Sequence, residues 1–447
     1  MTVPYAALTE VDLAGKTLIM RVDFNSPVDG TGGDLVLRDT TRIDDHLETS
    51  IVPLFESARP PHSIVLLAHQ GRPGRDDCTT LQPHFLYCRE RLRSKGIETS
   101  YVWEGRDSDA VREMGEAAVA PAGLAARIRR LPERSVLLLE NVRFSEAESR
   151  VKGHEPSAFA ETPLIRVLAQ VENRVVALDG FSVGHRPQAS VIGLAALGPL
   201  YAGPVVRREI EQLSNALESP RSPMLLVVGG AKVDDSLLSM QVFLEAGKAD
   251  TVITGGLVAL VLLQAKGVRL NQQTEANIAA ATRDLPQAVA RAETLMDRFG
   301  TNRIRVPVDL ALGPPQGSVE QRDELPADRL DPHDPRHVGD IGLQTIAQYG
   351  GEIAQANTLV MNGPMGRFEW PCFARGNEEI LRFAAYAAQT RKAHALVGGG
   401  DTGASLGALP AELVSQVKVC SSGKAFLEVL ATGSVESLIG IRTLARR

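Results

Sequence analysis

Short apolar runs recur through the first half of the chain, and each ends in a polar cluster. The first run precedes Arg21, and similar runs precede His69, Glu140 and Asp179. Runs of β-branched residues and leucines flanked by glycine, proline and helical stretches are typical of buried strands in a parallel α/β sheet. Ligands of such sheets bind beyond the carboxyl ends of the strands. The pattern therefore predicts that one sheet edge carries polar side chains for a ligand.

The polar clusters contain arginines that would repel one another without an anion between them. Arginine binds phosphate and carboxylate through paired hydrogen bonds. Any one of these arginines alone is more often a solvated surface residue, but their recurrence at equivalent strand ends favours an anion site. The clusters contain Arg21, Asp23, Asn25, His69, Arg72, Glu140, Asn141, Arg143, Asp179, His185 and Arg186.

The second half repeats this arrangement with glycine-rich turns. A strand, a glycine turn and a helix start let backbone N–H groups hold a phosphate. The alternative is that the glycines only let strands turn sharply into helices. Several such turns favour a polyphosphate ligand, and Asp401 beside the last turn suits Mg²⁺, which prefers one or two carboxylates plus phosphate oxygens. The turns contain Gly229, Gly230, Lys232, Gly255, Gly256, Asn362, Gly363 and residues 398–403.

Two common nucleotide-binding motifs are missing or incomplete. The P-loop is absent, because Gly423 and Lys424 are followed by Ala425 and lack the earlier glycine. Residues 398–403 satisfy GxGxxG, but a dinucleotide site needs an acidic residue about 20 positions later. The next apolar run instead ends in Cys420. A nicotinamide dehydrogenase is therefore the weaker hypothesis.

Length, charge and cysteine content are those expected of an enzyme that acts on small molecules. The 447 residues suffice for two domains, and the net charge of −6 argues against a nucleic-acid partner. No apolar stretch approaches membrane-spanning length, and the N-terminus lacks the features of a signal peptide. The four cysteines form no metal-ligand pair. We expect a cytoplasmic monomer that binds neither nucleic acid nor membrane.

A break in the pattern near the middle predicts two domains. Glycine and proline interrupt residues 198–204, and an amphipathic helix is predicted over 206–217. We expect two doubly wound parallel-sheet α/β domains of the Rossmann-like class, joined by a hinge with a cleft between them. Residues 313–338 are predicted to form a surface loop. Residues 105–132 and 145–160 are predicted to be insertions that carry helices rather than chemistry.

Eight segments of the chain resemble the phosphoglycerate kinase family, in the family's order and along nearly the whole length. They are MRVDFNSPV (20–28), LLAHQGRP (66–73), LLLENVRF (137–144), DGFSVGHRPQAS (179–190), VVGGAKVDD (227–235), PVDL (307–310), NGPMGRFE (362–369) and VGGGDTGAS (397–405).

The resemblance implies a reaction and a division of labour. Phosphate would pass between the carboxylate of 3-phosphoglycerate and the terminal position of Mg-ADP or Mg-ATP. Residues 1–200 would bind the acid, residues 201–430 the nucleotide, and the tail 431–447 would pack back on the first domain. The alternative left open is a paralogous kinase for a related phosphorylated or phosphonylated acid, or a catalytically silent member that only binds ligands.

Site residues implied by the resemblance fall into three sets. Acid-binding residues are Arg21, Asp23, Asn25, Arg42, His69, Arg72, Arg143 and Arg186, with Arg42 at the reacting carboxyl group. Nucleotide-binding residues are Gly230, Lys232, Gly255, Asn362, Glu369 at the ribose, Gly398, Gly399, Gly400, Asp401 and Thr402, with Asp401 at Mg²⁺. Arg42, Lys232, Gly400 and Lys424 are the expected catalytic residues.

The chain departs from the family pattern beside the transferring phosphate. The family motif GGAKVxDK ends in a second lysine that neutralises this phosphate, whereas here the position is Ser236. The family loop STGGGA reads CSSGKA over 420–425, which introduces Ser422 and Lys424. Loss of one charged group of this kind typically lowers the rate about a hundredfold or more. The hypothesis that Lys424 supplies the missing charge stands beside the interpretation of Lys424 as a solvated loop residue.

Overall fold

The computed structural model describes residues 5–30, 35–106, 108–151, 153–218, 220–398, 402, 405–420 and 423–446. The chain divides into two compact units. Unit 1 contains Met1–Glu211 together with Glu436–Arg447, and unit 2 contains Gln212–Val435. Across the described stretches, no helix is both long enough and apolar enough to cross a membrane.

A six-stranded parallel sheet forms the centre of unit 1, with strand order β5-β6-β4-β1-β7-β8. The strands in the middle are buried along their whole length, which explains their continuous apolar sequence. A small antiparallel pair, β2 and β3, lies outside this sheet. The bounds are β1 Thr17–Arg21, β2 Val28–Asp29, β3 Val36–Leu37, β4 Ser63–Leu67, β5 Glu98–Tyr101, β6 Ser135–Leu138, β7 Arg174–Leu178 and β8 Leu200–Ala202.

Register places the polar clusters of unit 1 side by side. Arg21 at the end of β1 pairs with Leu67 of β4 and with Leu178 of β7. Because these strands are parallel, the residues that follow them emerge at one sheet edge. The helices of unit 1 are α1 Thr41–His46, α2 Val52–Glu56, α3 Gln82–Arg93, α4 Ser108–Glu113, α5 Glu116–Val119, α6 Leu124–Arg129, α7 Ala147–Arg150 and α8 Pro163–Ala169, with α9 Pro204–Leu213 leading into unit 2.

Unit 2 contains a second six-stranded parallel sheet, with strand order β11-β10-β9-β15-β16-β17. A separate antiparallel sheet has the order β13-β12-β14. The bounds are β9 Met224–Val228, β10 Thr251–Thr254, β11 Ile304–Arg305, β12 Asp309–Gly313, β13 Asp323–Pro326, β14 His337–Ile341, β15 Thr358–Asn362, β16 His394–Gly398 and β17 Lys418–Cys420.

Helices connect these strands, and the last helix belongs to unit 1. Those of unit 2 are α10 Val233–Glu245, α11 Gly256–Ala265, α12 Gln272–Ala281, α13 Leu285–Arg303, α14 Leu343–Ile353, α15 Arg375–Arg391, α16 Ala411–Val414 and α17 Gly423–Thr432. The final helix is α18 Ile439–Arg442, where Gly440 donates from its backbone N–H to the carbonyl of Gly184 at 2.7 Å.

The predicted fold class is confirmed, since both main sheets are parallel and connected through helices. The prediction of one surface loop over 313–338 is wrong in part, because it contains all of β13 and the start of β14. A buried ion pair explains this outcome: the Nη1 of Arg322 lies 2.9 Å from the Oδ2 of Asp340 and joins the ends of two strands. The hinge and the cleft stay predictions.

Candidate active site

Five of the predicted acid-binding residues line one cavity in unit 1, with a volume of about 490 Å³. Arg75 also lines it and was missed, although it follows Arg72 by three residues in the same loop. Asp77 is the one carboxylate among the described lining residues, so positive charge dominates the cavity. The lining residues are Asn25, His69, Gly71, Arg72, Arg75, Asp77, Arg143 and Arg186.

Arg186 in this cavity is partly buried and lies close to Arg72, and both effects favour the binding of an anion between them. Burial lowers the pKa of Arg186, Asp23 opposes that effect, and Arg72 adds to it. Arg143 is buried as well, and Asn141 fixes its backbone by accepting the Arg143 N–H at 3.1 Å. The amide of Asn141 in turn donates to the carbonyls of Gln70 and Thr79. Asn141 therefore positions an arginine rather than presenting its own side chain to a ligand.

Arg42 and Asp23 form an ion pair near the cavity without lining it. The Nη1 of Arg42 lies 2.9 Å from the Oδ2 of Asp23, and Ser182 donates to the same oxygen. Burial disfavours charge on Asp23, but Arg42 and Ser182 outweigh it and lower the pKa of this carboxyl. The pair holds the Arg42 guanidinium at the sheet edge, partly exposed and able to meet an anion.

Arg21 lies behind the cavity rather than in its wall. Its side chain is fully buried and donates to Ser190, His69 and the backbone. Direct contact with the acid, as the sequence suggested for Arg21, is therefore not what this arrangement provides. His69 stands between Arg21 and the cavity.

Two other strand-end residues are structural. Glu140 is buried and accepts hydrogen bonds from Thr80 and from the backbone N–H of Leu81, which joins the strand end to the start of α3. Asp179 accepts hydrogen bonds from Ser50 at 2.6 Å and from the Val205 N–H at 2.8 Å. Both carboxylates are satisfied within the protein, so neither faces a ligand.

Unit 2 contains a cavity of about 470 Å³ beside its glycine turns. Gly230 and Glu369 of the predicted nucleotide residues line it; Gly255 directly precedes the lining residue Gly256, and Asn362 lies two residues before the lining residue Pro364. Much of the wall is apolar, which suits a base. Sequence reasoning missed the guanidinium of Arg367, which lies over the ring of Trp370 at 5.0 Å. The apolar lining residues include Leu257, Leu260, Leu310, Val338 and Ile341.

The glycine turns pack against one another. The backbone amides that were expected to bind phosphate instead donate hydrogen bonds within the protein. Gly230 donates to the carbonyl of Pro364 at 2.7 Å, and Gly256 donates to Met365 at 2.7 Å. The N–H of Gly255 donates to Val228 at 2.9 Å. A Cβ on Gly255 would lie 2.7 Å from the sulfur of Met365. These glycines are therefore required for close packing, and the amides of Gly230 and Gly255 are not free for a phosphate.

The last glycine turn is only partly described. Gly398 is the last residue of β16. A Cβ at this position would lie 2.0 Å from the ring of Phe426, so close packing requires a glycine here. Thr402 is buried, and its Oγ1 has no hydrogen-bond partner among the described residues. The predicted site residues Gly399, Gly400 and Asp401 lie outside the described residues.

Ser236 and Lys424 lie on neighbouring helices at the same edge of the sheet. Both α10 and α17 follow parallel strands, and the two helices pack against each other. Ser236 is buried in the first turn of α10, and its Oγ has no partner within the described part of the chain. Lys424 is exposed in the first turn of α17 and interacts with Glu428, while Lys232 is exposed just before α10. Lys232 therefore lies four residues before the buried serine, and Lys424 lies on a helix that packs against the helix of this serine.

The one metal ligand predicted from the sequence, Asp401, lies outside the described residues. The described residues contain no group of three or more His, Cys, Asp or Glu side chains that could hold a metal ion. Mg²⁺ bound together with a nucleotide is usually held by one or two carboxylates, phosphate oxygens and water.

An arginine-lined cavity in one unit and a largely apolar cavity beside glycine turns in the other are the features expected of a nucleotide-dependent phosphotransferase that acts on a small anion. The sequence model of phosphoglycerate kinase matches residues 8–433. The chain therefore belongs to the phosphoglycerate kinase family, whose members are phosphotransferases with a carboxyl group as acceptor.

Relatives from several organisms match along the whole chain. The phosphoglycerate kinase of Natronomonas pharaonis is 36% identical over 439 residues, covering 98% of each chain. That of Methanothermobacter thermautotrophicus is 35% identical over 440 residues, covering 98% of this chain and 96% of the relative. The crystal structure of phosphoglycerate kinase from Pyrococcus horikoshii gives a TM-score of 0.79 at 30% identity, with 98% of both chains covered.

Proposed function

We propose that this chain transfers the terminal phosphoryl group of ATP to the carboxylate of 3-phosphoglycerate, and catalyses the reverse transfer to ADP. A carboxylate oxygen attacks the terminal phosphorus, the bond from this phosphorus to ADP breaks, and an acyl phosphate forms. The observation that carries this proposal is the convergence of His69, Arg72, Arg143 and Arg186 on one cavity. These side chains suit the phosphate of the acid.

Arg42 is proposed to hold the reacting carboxylate. It is the partly exposed cation beside this cavity, and Asp23 orients it. Such chemistry needs positioning and charge stabilisation rather than a covalent intermediate. Asn25 contributes a further polar group to the cavity.

Unit 2 is proposed to bind the nucleotide, with the base in the apolar cavity and Glu369 at the ribose. Lys232 and Thr402 are proposed to lie near the phosphates, together with Asn362, Gly398, Gly399 and Gly400. Asp401 is proposed to hold Mg²⁺, which would neutralise charge on the phosphates when bound. Lys424 is proposed to take the place of the family lysine that is Ser236 here.

Neither alternative raised by Ser236 gains support. The family match and the named relatives agree on phosphoglycerate kinase, and five of the eight expected acid-binding residues line one cavity in unit 1. We further propose that the chain is a cytoplasmic monomer, with sedimentation velocity as the test of its oligomeric state.

A coupled assay of ADP release tests the proposed function. ATP would be supplied with 3-phosphoglycerate and, separately, with a panel of other phosphorylated and phosphonylated acids. We expect 3-phosphoglycerate to give the highest kcat/KM. Higher kcat/KM for another acid would assign the chain to the paralogous kinase, and nucleotide binding without turnover would assign it to the silent class. A thermal shift with NAD but not ATP or ADP would reject nucleotide-dependent phosphoryl transfer.

A further inference from the structure

A buried row of polar side chains runs from α7 to the acid cavity of unit 1. Glu148, Ser190, Arg21 and His69 are each at most 4% exposed, so water does not compete for their hydrogen bonds. Glu148 belongs to the segment 145–160, which was expected to carry helices rather than chemistry. Its carboxylate accepts the Ser190 hydroxyl at 2.6 Å and the Ser190 N–H at 2.9 Å.

Arginine fixes the direction of every hydrogen bond in this row, because its guanidinium only donates. The Nε of Arg21 lies 2.9 Å from the Oγ of Ser190, so this oxygen accepts and its own hydrogen points to Glu148. The Nη2 of Arg21 lies 2.9 Å from the Nδ1 of His69, so Nδ1 must accept and cannot carry a proton. A neutral histidine with a bare Nδ1 carries its hydrogen on Nε2.

The surroundings of His69 keep the imidazole neutral. Burial lowers its pKa well below the usual range, and Arg21, Arg186, Arg42 and His84 act in the same direction. A neutral ring with a proton at Nε2 still donates one hydrogen bond. His69 lines the acid cavity, so this donor is available to an anionic oxygen there.

We propose that Arg21, held by Ser190 and Glu148, is a positioning residue that fixes His69 in the Nε2–H tautomer, so that a neutral histidine donates to the phosphate of the acid. This inference rests on the proposed function of the cavity. It assigns Arg21 a role through His69 rather than through direct contact with substrate. It also assigns a purpose to the buried Glu148, which accepts the hydroxyl of the same Ser190 that Arg21 donates to.

Nitrogen NMR of the full-length protein with ¹⁵N-labelled histidine tests the tautomer directly. The His69 resonances would be assigned by their loss in His69→Gln. We expect wild-type His69 to show an unprotonated Nδ1 and a protonated Nε2. In Ser190→Ala and Arg21→Met the ring should lose this single tautomer and become protonated on mild acidification.

Kinetics supply a second readout, because one lost hydrogen bond to a bound anion corresponds to roughly a tenfold change. The KM for 3-phosphoglycerate should rise about tenfold in Ser190→Ala and acquire a dependence on pH near neutrality, while the KM for ATP and kcat stay unchanged. Ser190→Thr, which keeps the hydroxyl, should restore both the tautomer and the KM.

Matched controls separate positioning from loss of packing. Ser135 is also buried in unit 1 and donates to the Pro132 carbonyl, and Arg127 donates to backbone carbonyls of residues that do not line the cavity. The inference is overturned if wild-type His69 is protonated at Nδ1. It is also overturned if Ser190→Ala matches Ser135→Ala, and Arg21→Met matches Arg127→Met, in tautomer and acid KM. Absence of turnover in the wild type would reject the proposed function, yet the NMR result would still decide the tautomer.

Discussion

The Nη1 of Arg42 donates to the Oδ2 of Asp23 across 2.9 Å, and this contact distinguishes Arg42 from the arginines of the acid cavity. Arg72, Arg75 and Arg186 line the cavity with no carboxylate at ion-pair distance in the described structure. Arg42 is neutralised in part before substrate arrives. The ion pair with Asp23 therefore weakens the attraction of Arg42 for an anionic substrate but fixes the position of its guanidinium, as in-line transfer requires.

Replacement of Arg42 should affect the chemical step most strongly. In Arg42→Ala, kcat should fall by about 10²-fold or more, because the cation proposed to hold the reacting carboxylate is lost, and acid affinity should fall as well. Asp23→Asn keeps the guanidinium but frees it, so a smaller loss is expected. Steady-state kinetics with 3-phosphoglycerate check both variants. Equal losses would show that Asp23 has a role beyond orientation of Arg42.

Asp401 should act on the other substrate. In Asp401→Ala, turnover with Mg-ATP should be nearly abolished, because the metal loses its proposed ligand. Calorimetric titration with 3-phosphoglycerate alone should give the wild-type affinity. Reduced affinity for the acid in this titration would contradict the assignment of Asp401 to the metal.

Lys424 should contribute mainly in the transition state. In Lys424→Ala the barrier should rise by about 2–4 kcal/mol, while ATP affinity measured by titration changes little. Ser236→Lys should partly rescue this variant, although the new side chain must extend from a buried position. Lys418 is an exposed lysine on β17 and provides a matched control, since Lys418→Ala should leave kcat unchanged. No loss in Lys424→Ala and no gain in Ser236→Lys would remove the compensation hypothesis.

Gly398 should be intolerant of a methyl group. Gly398→Ala places a Cβ 2.0 Å from the Phe426 ring and should destabilise unit 2 by roughly 1–3 kcal/mol, as overpacking typically does. Gly351 is an exposed helical glycine with open space around it, so Gly351→Ala should be neutral or stabilising by up to about 1 kcal/mol. The chain has two tryptophans, and Trp370 reports on unit 2 once Trp103 is replaced by Phe. Urea unfolding followed by its fluorescence measures both variants.

Glu148 should make the stability of unit 1 dependent on pH. Burial raises the pKa of Glu148 to about 7, although Arg21 opposes this, whereas an unfolded glutamate titrates near about 4.3. Between these values the folded state binds more protons than the unfolded state, so the free energy of unfolding falls as pH rises. From pH 4.5 to 7.5 the wild type should lose on the order of 3 kcal/mol relative to Glu148→Gln. Urea unfolding followed by Trp103 fluorescence in a Trp370→Phe background measures the free energy of unfolding of unit 1 at each pH. If this free energy changes with pH equally in the wild type and in Glu148→Gln, the raised pKa of Glu148 is contradicted.

Sequence predicted the parallel sheets and the convergence of His69, Arg72, Arg143 and Arg186, because strand direction alone fixes where those residues emerge. It could not separate ligand-facing from buried side chains at the same strand ends. Arg21 and Glu140 follow the same pattern, yet their side chains form hydrogen bonds with Ser190 and Thr80, which are distant in sequence. The use of glycine amides by neighbouring turns is likewise a tertiary property, since Gly230 and Pro364 are distant in sequence.

The hydrogen bond from Gly440 to Gly184 has a consequence for synthesis of the chain. In sequence, unit 1 consists of residues 1–211 and 436–447, and the residues of unit 2 come between these two stretches. Leu438, Ile441 and Leu444 are buried, and Gly184 immediately precedes His185 and Arg186. The ribosome therefore synthesises all of unit 2 before it makes residues 436–447. Until then, the segment that carries Arg186 lacks its contact with the C-terminal residues. In nascent chains stalled before residue 436, the proposed acid-binding cavity would therefore lack the C-terminal segment that packs beside Gly184.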